Sequence, residues 1–174
     1  MSIASAQVDD HIEMISTPEL AGFAELFERH YEAVFRAALR VAGNPADAED
    51  VLQTVFLRVV SRSEADEIRT RPVAYFRRAA VNAAVDLLRR RAMHAETSYD
   101  DDAHDPAVEP ALLLKEQLRR AVATLPNEDA TLFLLRHVEG LSIDELAASF
   151  RLEKNNVSVR LHRIRLRLQT EMQR

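Results

Sequence analysis

Apolar residues recur at three- and four-residue steps along most of this chain, and an acidic stretch without such a pattern divides it. Residues spaced in this way share one face of an α-helix, so each half of the chain is expected to form amphipathic helices. The low content of helix breakers, 3 Gly and 6 Pro in 174 residues, favours the same conclusion. The sequence therefore predicts an all-α fold.

The acidic stretch, residues 92–110, is expected to be a linker. Within it, residues 96–109 hold six acids and no Lys or Arg, and a segment of this composition cannot bury enough apolar surface to fold alone. We therefore expect two small helical domains, residues 20–91 and 111–174, joined by a flexible acidic linker. Residues 1–19 are expected to be disordered.

Several functional classes are disfavoured by what the sequence lacks. The chain has no cysteine, its six histidines are scattered, and it has neither a glycine-rich phosphate loop nor a Ser/His/Asp arrangement. We expect no metal, no cofactor and no enzymatic activity. No apolar stretch reaches the roughly 18 residues of a membrane helix, and the first residues lack the basic start of a signal peptide. A cytoplasmic protein without membrane insertion is expected.

A helix is expected to follow the dipeptide Asn44-Pro45, which offers an N-cap and a proline at the first helical position. Asp47 falls in the opening turn, where the helix dipole favours negative charge. Two apolar rows of this helix are expected to be buried, leaving Asp50, Gln53 and Leu57 nearer the outside. The rows are Val51, Val55 and Val59, and Leu52, Phe56 and Val60.

Arginines are concentrated in two blocks, although the formal net charge of the chain is -5. The first block, residues 69–91, has Asp86 as its single acid, and Pro72 is expected to restart a helix within it. Its arginines are Arg69, Arg71, Arg77, Arg78, Arg89, Arg90 and Arg91. The second block is the stretch "NNVSVRLHRIRLRL", residues 156–169.

The second block has the sequence outline of a helix-turn-helix. Ser142 followed three residues later by Glu145 is a capping box that starts a short helix. A turn and a basic amphipathic helix come next, and the second helix of such a motif enters the DNA major groove. Four residues of the basic helix are spaced to pack inward. They are Val157, Leu161, Ile164 and Leu168.

The outward residues of the basic helix are therefore candidates for DNA contact. The start of a recognition helix meets base edges, and flanking arginines meet phosphates. Base reading is assigned to Asn155, Asn156, Ser158, Val159 and Arg160, and positioning to Arg163, Arg165 and Arg167. The alternative is a solvated basic face on a terminal helix, but such a face does not require the capping box, the turn and the inward row.

Two blocks of the sequence resemble the sigma-70 family of RNA polymerase sigma factors. The segment "LPNEDATLFLLRHVEGLSIDELAASFRLEKNNVSVRLHRIRLRL" resembles region 4 of the family. The segment "DAEDVLQTVFLRVV" resembles region 2.2, and "YFRRAAVNAAVDLLRRR" resembles regions 2.3–2.4. With these two domains and a short linker, the chain resembles the extracytoplasmic-function (ECF) group.

The resemblance implies a factor that binds core RNA polymerase, through the large-subunit clamp helices and the flap, and directs transcription from promoters with minus-10 and minus-35 elements. It also implies an anti-sigma factor as a further partner. Two alternatives remain open at this point. One is a sigma-like mimic that sequesters an anti-sigma factor, and the other is a simple helix-turn-helix regulator.

The resemblance also implies roles for particular residues. Core polymerase binding is implied for Asp47, Asp50, Gln53 and Leu57, although the helix dipole explains Asp47 equally well. Minus-10 DNA binding is implied for Arg77, Arg78, Asn82, Asp86, Arg89, Arg90 and Arg91. A loop around Asn82–Asp86 would capture an unstacked base, and a helix cap is the alternative role for Asn82. Minus-35 binding is implied for Ser142 together with the outward residues of the basic helix.

Among the positions that depart from the family pattern, two lie in the helix-turn-helix. Arg151 stands where the turn of the helix-turn-helix usually has glycine, and a non-glycine residue disfavours a left-handed backbone there. We expect Arg151 to take another conformation or the turn to differ slightly. Ser158 replaces a basic residue near the start of the recognition helix, so the promoter sequence cannot be transferred from a relative.

Overall fold

The computed structural model describes residues 17–61, 68, 70–97 and 110–173, and all regular secondary structure in these residues is α-helical. This confirms the all-α prediction. Ile68 and Thr70 are also helical, and seven helices have both ends in the described residues. They are α1 (Thr17–Ala42), α2 (Pro45–Ser61), α3 (Pro72–Thr97), α4 (Pro110–Ala123), α5 (Asn127–His137), α6 (Ile143–Phe150) and α7 (Lys154–Met172).

Helices α1, α2 and α3 pack against one another around an aromatic cluster. The ring of Phe56 on α2 lies 4.7 Å from that of Phe27 on α1 and 5.4 Å from that of Phe76 on α3. The turn between α1 and α2 follows the predicted signals. Gly43 takes a positive φ of 91°, and the side chain of Asn44 accepts a hydrogen bond of 2.9 Å from the Asp47 backbone N–H.

The two apolar rows predicted for α2 are buried at their first two positions and become exposed towards the end of the helix. Val51, Val55, Leu52 and Phe56 are buried, Val59 is half-buried, and Val60 is 43% exposed. The prediction for Val60 was wrong. Each step of four residues turns the side chain by about 40° beyond a full turn, so a straight row rotates away from the core within two steps.

The acidic linker is shorter at both ends than the sequence predicted. Helix α3 continues to Thr97, so residues 92–97 are helical and not part of a linker. These residues extend a helix that is already formed, which avoids the cost of nucleation, and several of them are good helix formers. Helix α4 begins at Pro110. The remaining linker residues 98–109, and residues 1–16 of the predicted extension, lie outside the described residues. Residues 17–19, predicted to be disordered, are helical, because α1 begins at Thr17.

Helices α4 to α7 form a second group in which α7 packs against the other three. Leu132 and Leu135 of α5, Leu146 of α6 and Leu161 of α7 belong to its core. Helix α5 ends at His137 with Val138 as its C-cap, and Gly140, with a φ of 74°, lies in the turn that follows. The second group does not lie apart from the first, because α3 also packs against α4 and α5.

Candidate nucleic-acid and polymerase interfaces

The helix-turn-helix forms as predicted from α6, residues 151–153 and α7. The Ser142 hydroxyl accepts a hydrogen bond of 3.2 Å from the Glu145 backbone N–H, and the Glu145 carboxylate accepts one of 2.8 Å from the Ser142 backbone N–H. The Ser142 backbone hydrogen bond holds the pKa of Glu145 below its usual value. Both side chains are therefore used in starting α6.

Arg151 adopts the left-handed conformation that glycine usually occupies, with φ 54° and ψ 44°. Its backbone N–H bonds to the Ala147 carbonyl, as does that of Leu152 at 3.0 Å. Arg151 thus takes the left-handed conformation that its side chain disfavours, and the expectation of another conformation was wrong. A left-handed residue with a side chain costs about 1–2 kcal/mol, which the packing of the two helices on either side offsets.

Helix α7 buries one row of side chains and exposes the rest. Val157, Leu161, Ile164 and Leu168 are buried, as predicted. The outward candidates that are exposed are Asn155, Asn156, Ser158, Val159, Arg163, Arg165 and Arg167. A groove lined by several of them runs between α7 and Pro126 at the start of α5. The exposed start of α7 and the arginines further along it can therefore reach an external polyanion.

Arg160 differs from the other candidates on α7 because it is partly buried and paired. Its guanidinium lies 2.9 Å from the Glu128 carboxylate and 2.5 Å from the Asp129 carboxylate, both in the first turn of α5. These hydrogen bonds and charges raise the pKa of Arg160 despite its burial. The pairs tie α7 to α5, a role that the sequence pattern did not indicate.

On α2, three of the four predicted polymerase-binding residues form an exposed row. Asp50, Gln53 and Leu57 are exposed, and Leu57 is 67% exposed. They lie three and four residues apart, which places them on one side of the helix. The row therefore offers an external partner one apolar side chain together with an acid and an amide.

Asp47, the fourth predicted polymerase-binding residue, points into the protein. Its carboxylate accepts a hydrogen bond of 2.6 Å from the Asn44 amide and pairs with the Arg91 guanidinium at the far end of α3. Its side chain is 6% exposed. Two residues predicted for different external partners, Asp47 and Arg91, therefore bind each other.

The predicted loop around Asn82–Asp86 does not exist, because both residues lie in the middle of the continuous helix α3. Asn82 is consequently not a helix cap either. The helix continues because α3 is packed on several sides. Its buried apolar residues in this stretch are Ala80, Val81, Ala83, Ala84, Val85, Leu87 and Leu88.

Four of the predicted minus-10 residues, which we call the α3 stripe, follow one another at three- and four-residue steps. They are Arg78, Asn82, Asp86 and Arg89. Each of them contacts the second group of helices. Because of their spacing they lie along one side of α3.

The partners of the α3 stripe come in reverse chain order. Arg78 donates a hydrogen bond of 2.5 Å to the Ser149 carbonyl of α6. Asn82 accepts one of 3.1 Å from the Thr131 hydroxyl, and Asp86 accepts one of 2.9 Å from the Asn127 amide. Arg89 donates to the Ala123 and Leu125 carbonyls between α4 and α5. Helix α5 therefore runs antiparallel to α3 along the stripe.

A second set of ionic contacts lies beside the stripe, around Glu139. The Glu139 carboxylate lies 2.9 Å from the Arg40 guanidinium of α1 and 3.6 Å from that of Arg77 on α3. Its side chain is 5% exposed. Sequence reasoning missed this residue, because a glutamate before a turn glycine gives no indication of a partner about one hundred residues away. Arg90, next to the stripe, is exposed.

Comparisons with known proteins agree with the resemblance noted from the sequence. The sigma-70 region 2 family matches residues 26–93, and the sigma-70 region 4 family matches residues 115–168. The RNA polymerase sigma factor CarQ of Myxococcus xanthus is 32% identical over 145 residues, which cover 81% of this chain and 83% of the relative. The chain belongs to the sigma-70 family.

Further relatives place this sigma factor in the ECF group. RNA polymerase sigma-E factor of Streptomyces coelicolor is 29% identical over 160 residues, which cover 88% of both chains. Other relatives, from Mycolicibacterium smegmatis and Bacillus subtilis, are described as ECF RNA polymerase sigma factors. The fold resembles that of the sigma factor RpoE from Bartonella quintana, solved in complex with the anti-sigma factor NepR. The TM-score is 0.50 at 19% identity, covering 87% of this chain and 97% of that one.

Two further observations concern the described part of this sigma factor. No group of three or more His, Cys, Asp or Glu side chains in it could hold a metal ion. None of its described helices combines the length and the apolar character needed to cross a membrane.

Proposed function

We propose that this ECF sigma factor divides transcription initiation among three surfaces: the outward row of α2 binds core RNA polymerase, α3 binds the minus-10 element, and α7 binds the minus-35 element. Each surface is assigned to the partner that the chemistry of its side chains suits. The observation that carries the proposal is the exposed, arginine-rich face of α7 in a helix-turn-helix, joined in one chain to a region 2 bundle with an exposed Leu57.

The chemistry of α7 supports duplex DNA as its partner. Asn155, Asn156 and Ser158 lie exposed at the start of the helix, where amides and hydroxyls can hydrogen-bond to base edges in a major groove. Arg163, Arg165 and Arg167 follow and can neutralise phosphates. The pairing of Arg160 with α5 argues for a positioning role for this residue, which holds the recognition helix on its support.

The chemistry of α2 supports a protein partner. Leu57 supplies apolar area at the end of the row, and Gln53 and Asp50 supply polar contacts one and two turns earlier. A row of acidic and amide side chains is electrostatically complementary to a basic helical surface on the polymerase. Asp47 supports this surface from inside, because its carboxylate binds the capping Asn44 and Arg91 at the start of α2.

The chemistry of α3 supports a single-stranded partner once its stripe is uncovered. Arg77, Arg78 and Arg89 offer guanidinium groups for phosphates, and Asn82 offers an amide for a base edge. Since the stripe runs along a rigid helix, it would bind an extended strand, in place of the loop-held base that the sequence predicted.

Reconstitution with core polymerase tests the proposal. A promoter is first selected from a random DNA library with the holoenzyme, and run-off transcription is then measured. Leu57→Asp is expected to abolish core binding with no loss of folding stability. The exposed valine at the end of the same helix provides a matched control, and Val60→Asp should bind core normally. Core binding that survives Leu57→Asp would contradict the assignment of α2.

The same assay separates the sigma factor from the two alternatives. A simple helix-turn-helix regulator would not need residues 26–93, which match region 2. A mimic that only sequesters an anti-sigma factor would bind that protein but give no promoter-dependent transcript. Control by an anti-sigma factor, and a cytoplasmic location alongside the polymerase, are part of the proposal.

A further inference from the structure

We infer that the start of α7 reads A·T base pairs in the minus-35 element: Val159 contacts the C5-methyl group of a thymine, and the amides of Asn155 and Asn156 bind adenine. This inference rests on the proposed function, which assigns α7 to the minus-35 element. It adds which bases the start of the helix recognises, and Val159 becomes a specificity-determining residue.

Val159 is an exposed apolar side chain in the second turn of the recognition helix. Its exposed fraction is 41%. It lies two residues from Val157 and two from Leu161, both in the buried row, and therefore about 160° round the helix from each of them. The valine side chain thus points away from the core and towards the partner of α7.

Thymine offers the apolar group that an outward valine suits. In the major groove its base edge carries a C5-methyl group, whereas the other base edges present hydrogen-bond donors and acceptors. Contact between the methyl groups of valine and thymine removes apolar surface from water on both sides. Valine has no polar atom in its side chain, so against another base it would leave donors or acceptors without a partner.

Two amides lie beside Val159 on the same side of the helix. Asn155 and Asn156 come four and three residues before it, at the spacing of neighbouring side chains on a helix. Both are exposed, and neither amide is hydrogen-bonded to another described residue. A carboxamide has one donor and one acceptor that match N7 and N6 of adenine. Because adenine pairs with thymine, the amides and Val159 favour the same base pairs.

The other predicted base-reading side chains are used inside the chain. The Ser158 hydroxyl donates a hydrogen bond of 3.1 Å to the Lys154 carbonyl. The Arg160 guanidinium is held by Glu128 and Asp129, at 2.9 Å and 2.5 Å. Arginine commonly reads guanine through a bidentate contact to O6 and N7. Arg160 would have to leave both carboxylates to make that contact.

Lys154 and Arg163 are the other lysine and arginine within five residues of Val159. Lys154 lies about 140° round the helix from Val159 and pairs with Asp144 at 2.9 Å. Arg163 comes four residues after Val159, lies on the same side and is exposed. Guanine reading by Arg163 is therefore the competing assignment that an experiment has to separate from thymine reading by Val159.

The first test removes single methyl groups from the DNA. A minus-35 element is selected from a random library with the holoenzyme, and each of its thymines is replaced in turn with deoxyuridine, which lacks the C5-methyl group. At one thymine the replacement is expected to weaken holoenzyme binding about 3- to 5-fold. Val159→Ala should abolish this discrimination, whereas Val159→Ile, which keeps a branched apolar side chain, should retain it.

Leu166→Ala is the matched control for Val159→Ala. Leu166 lies seven residues further along the same side of α7 and is 52% exposed. Its replacement should leave the discrimination between thymine and deoxyuridine unchanged. A thymine preference that persists in Val159→Ala, or an element in which no thymine responds to the loss of its methyl group, overturns the inference.

The second test concerns the adenines. Replacing an adenine that Asn155 or Asn156 binds with 7-deazaadenine removes the N7 acceptor and should weaken holoenzyme binding about 2- to 10-fold. Asn155→Ala or Asn156→Ala should abolish the sensitivity at that adenine. A selected element fixed by guanines, with a guanine preference that Arg163→Ala removes, would contradict reading of A·T pairs.

Replacing Arg163, Arg165 and Arg167 with Ala separates a wrong base assignment from a wrong function. These substitutions remove phosphate contacts, so they should weaken promoter binding by the holoenzyme whichever bases are read. If they do so while loss of the thymine methyl groups has no effect, α7 binds the minus-35 element and the reading by Val159 is wrong. If neither these substitutions nor changes in the minus-35 sequence alter promoter binding, the assignment of α7 fails as well.

Discussion

Helices α3 and α7 are both rich in arginine, yet they use it in opposite ways. On α3 the guanidinium groups of Arg78, Arg89 and Arg91 bind other parts of the same chain. On α7, Arg163 and Arg165 face solvent, while one row of apolar residues holds the helix. A basic stretch in a sequence therefore shows that a polyanion can be bound, but not whether the surface is available in the free protein.

The largest expected effect comes from removing the support of α7. Leu161 is buried in its apolar row, and Leu161→Ala should lower the free energy of unfolding by about 2–5 kcal/mol. Urea denaturation followed by circular dichroism measures the change. His162→Ala, at the exposed neighbouring position, is the control and should change stability by less than about 0.5 kcal/mol. A small effect of Leu161→Ala would show that α7 does not depend on its inward row.

Two sets of arginine substitutions test the comparison directly. Replacing Arg163, Arg165 and Arg167 with Ala should reduce the salt dependence of duplex binding by the free chain, with a log-log slope smaller by about 3. Replacing Arg77, Arg78 and Arg89 with Ala should leave that slope almost unchanged. Fluorescence anisotropy over a salt series gives both slopes. Equal losses for the two sets would mean that α3 is as accessible as α7 in the free chain.

Arg160 is the exception on α7, because it binds other residues of the same chain, as the arginines of α3 do. Its pair with Asp129 is partly buried, while Glu128 is exposed, so Arg160→Ala should destabilise the fold by about 1 kcal/mol. A double-mutant cycle with Asp129→Asn isolates the coupling energy. Unchanged stability combined with a loss of sequence preference would identify Arg160 as a base-reading residue instead.

Replacing Arg151 with glycine should give a small gain in stability. Its left-handed backbone suits glycine, so Arg151→Gly should relieve strain, partly offset by the greater entropy of glycine in the unfolded chain. The expected result is a net stabilisation of at most about 1 kcal/mol. Thermal unfolding with Arg151→Ala as the control measures it, because Ala keeps the strain. A destabilised glycine variant would show that the Arg151 side chain itself holds the turn.

Mild acid should weaken both groups of helices. Burial, with Arg29 nearby, lowers the pKa of His30, and burial, with Arg165 and Arg136 nearby, lowers the pKa of His137. The unfolded chain then binds more protons than the folded one, so stability is full above the ordinary histidine pKa near 6.5 and falls as pH drops through it. His30→Phe, which retains the stacking against Phe76, should reduce this dependence in unfolding curves from pH 7.5 to 5. An unchanged slope would mean that His30 binds protons equally in the folded and the unfolded chain.

Local patterns predicted the helices well because helix formation depends on neighbours within a few residues. The N-cap at Asn44, the capping box at Ser142 and the inward row of α7 all appeared as expected. Errors arose where a tertiary contact extended or redirected a local pattern. Helix α3 continued through the predicted Asn82 loop and into the predicted linker.

The candidate residues were least predictable where two distant segments meet. Asp47 and Arg91 were each predicted for an external partner, and they bind each other across the bundle. No local sequence pattern indicated that Glu139 would be buried and paired. A sequence gives the charge of a side chain, but the direction in which it points and its competing partners depend on how the helices pack.

The amino-acid sequence by itself determined the helical class, the helix-turn-helix and the membership of the sigma-70 family, because these depend on residue order and short-range periodicity. The tertiary structure alone decided which basic surface is exposed. That choice depends on long-range pairs between α3 and region 4, and their free energy exists only when segments far apart in the chain are brought into contact.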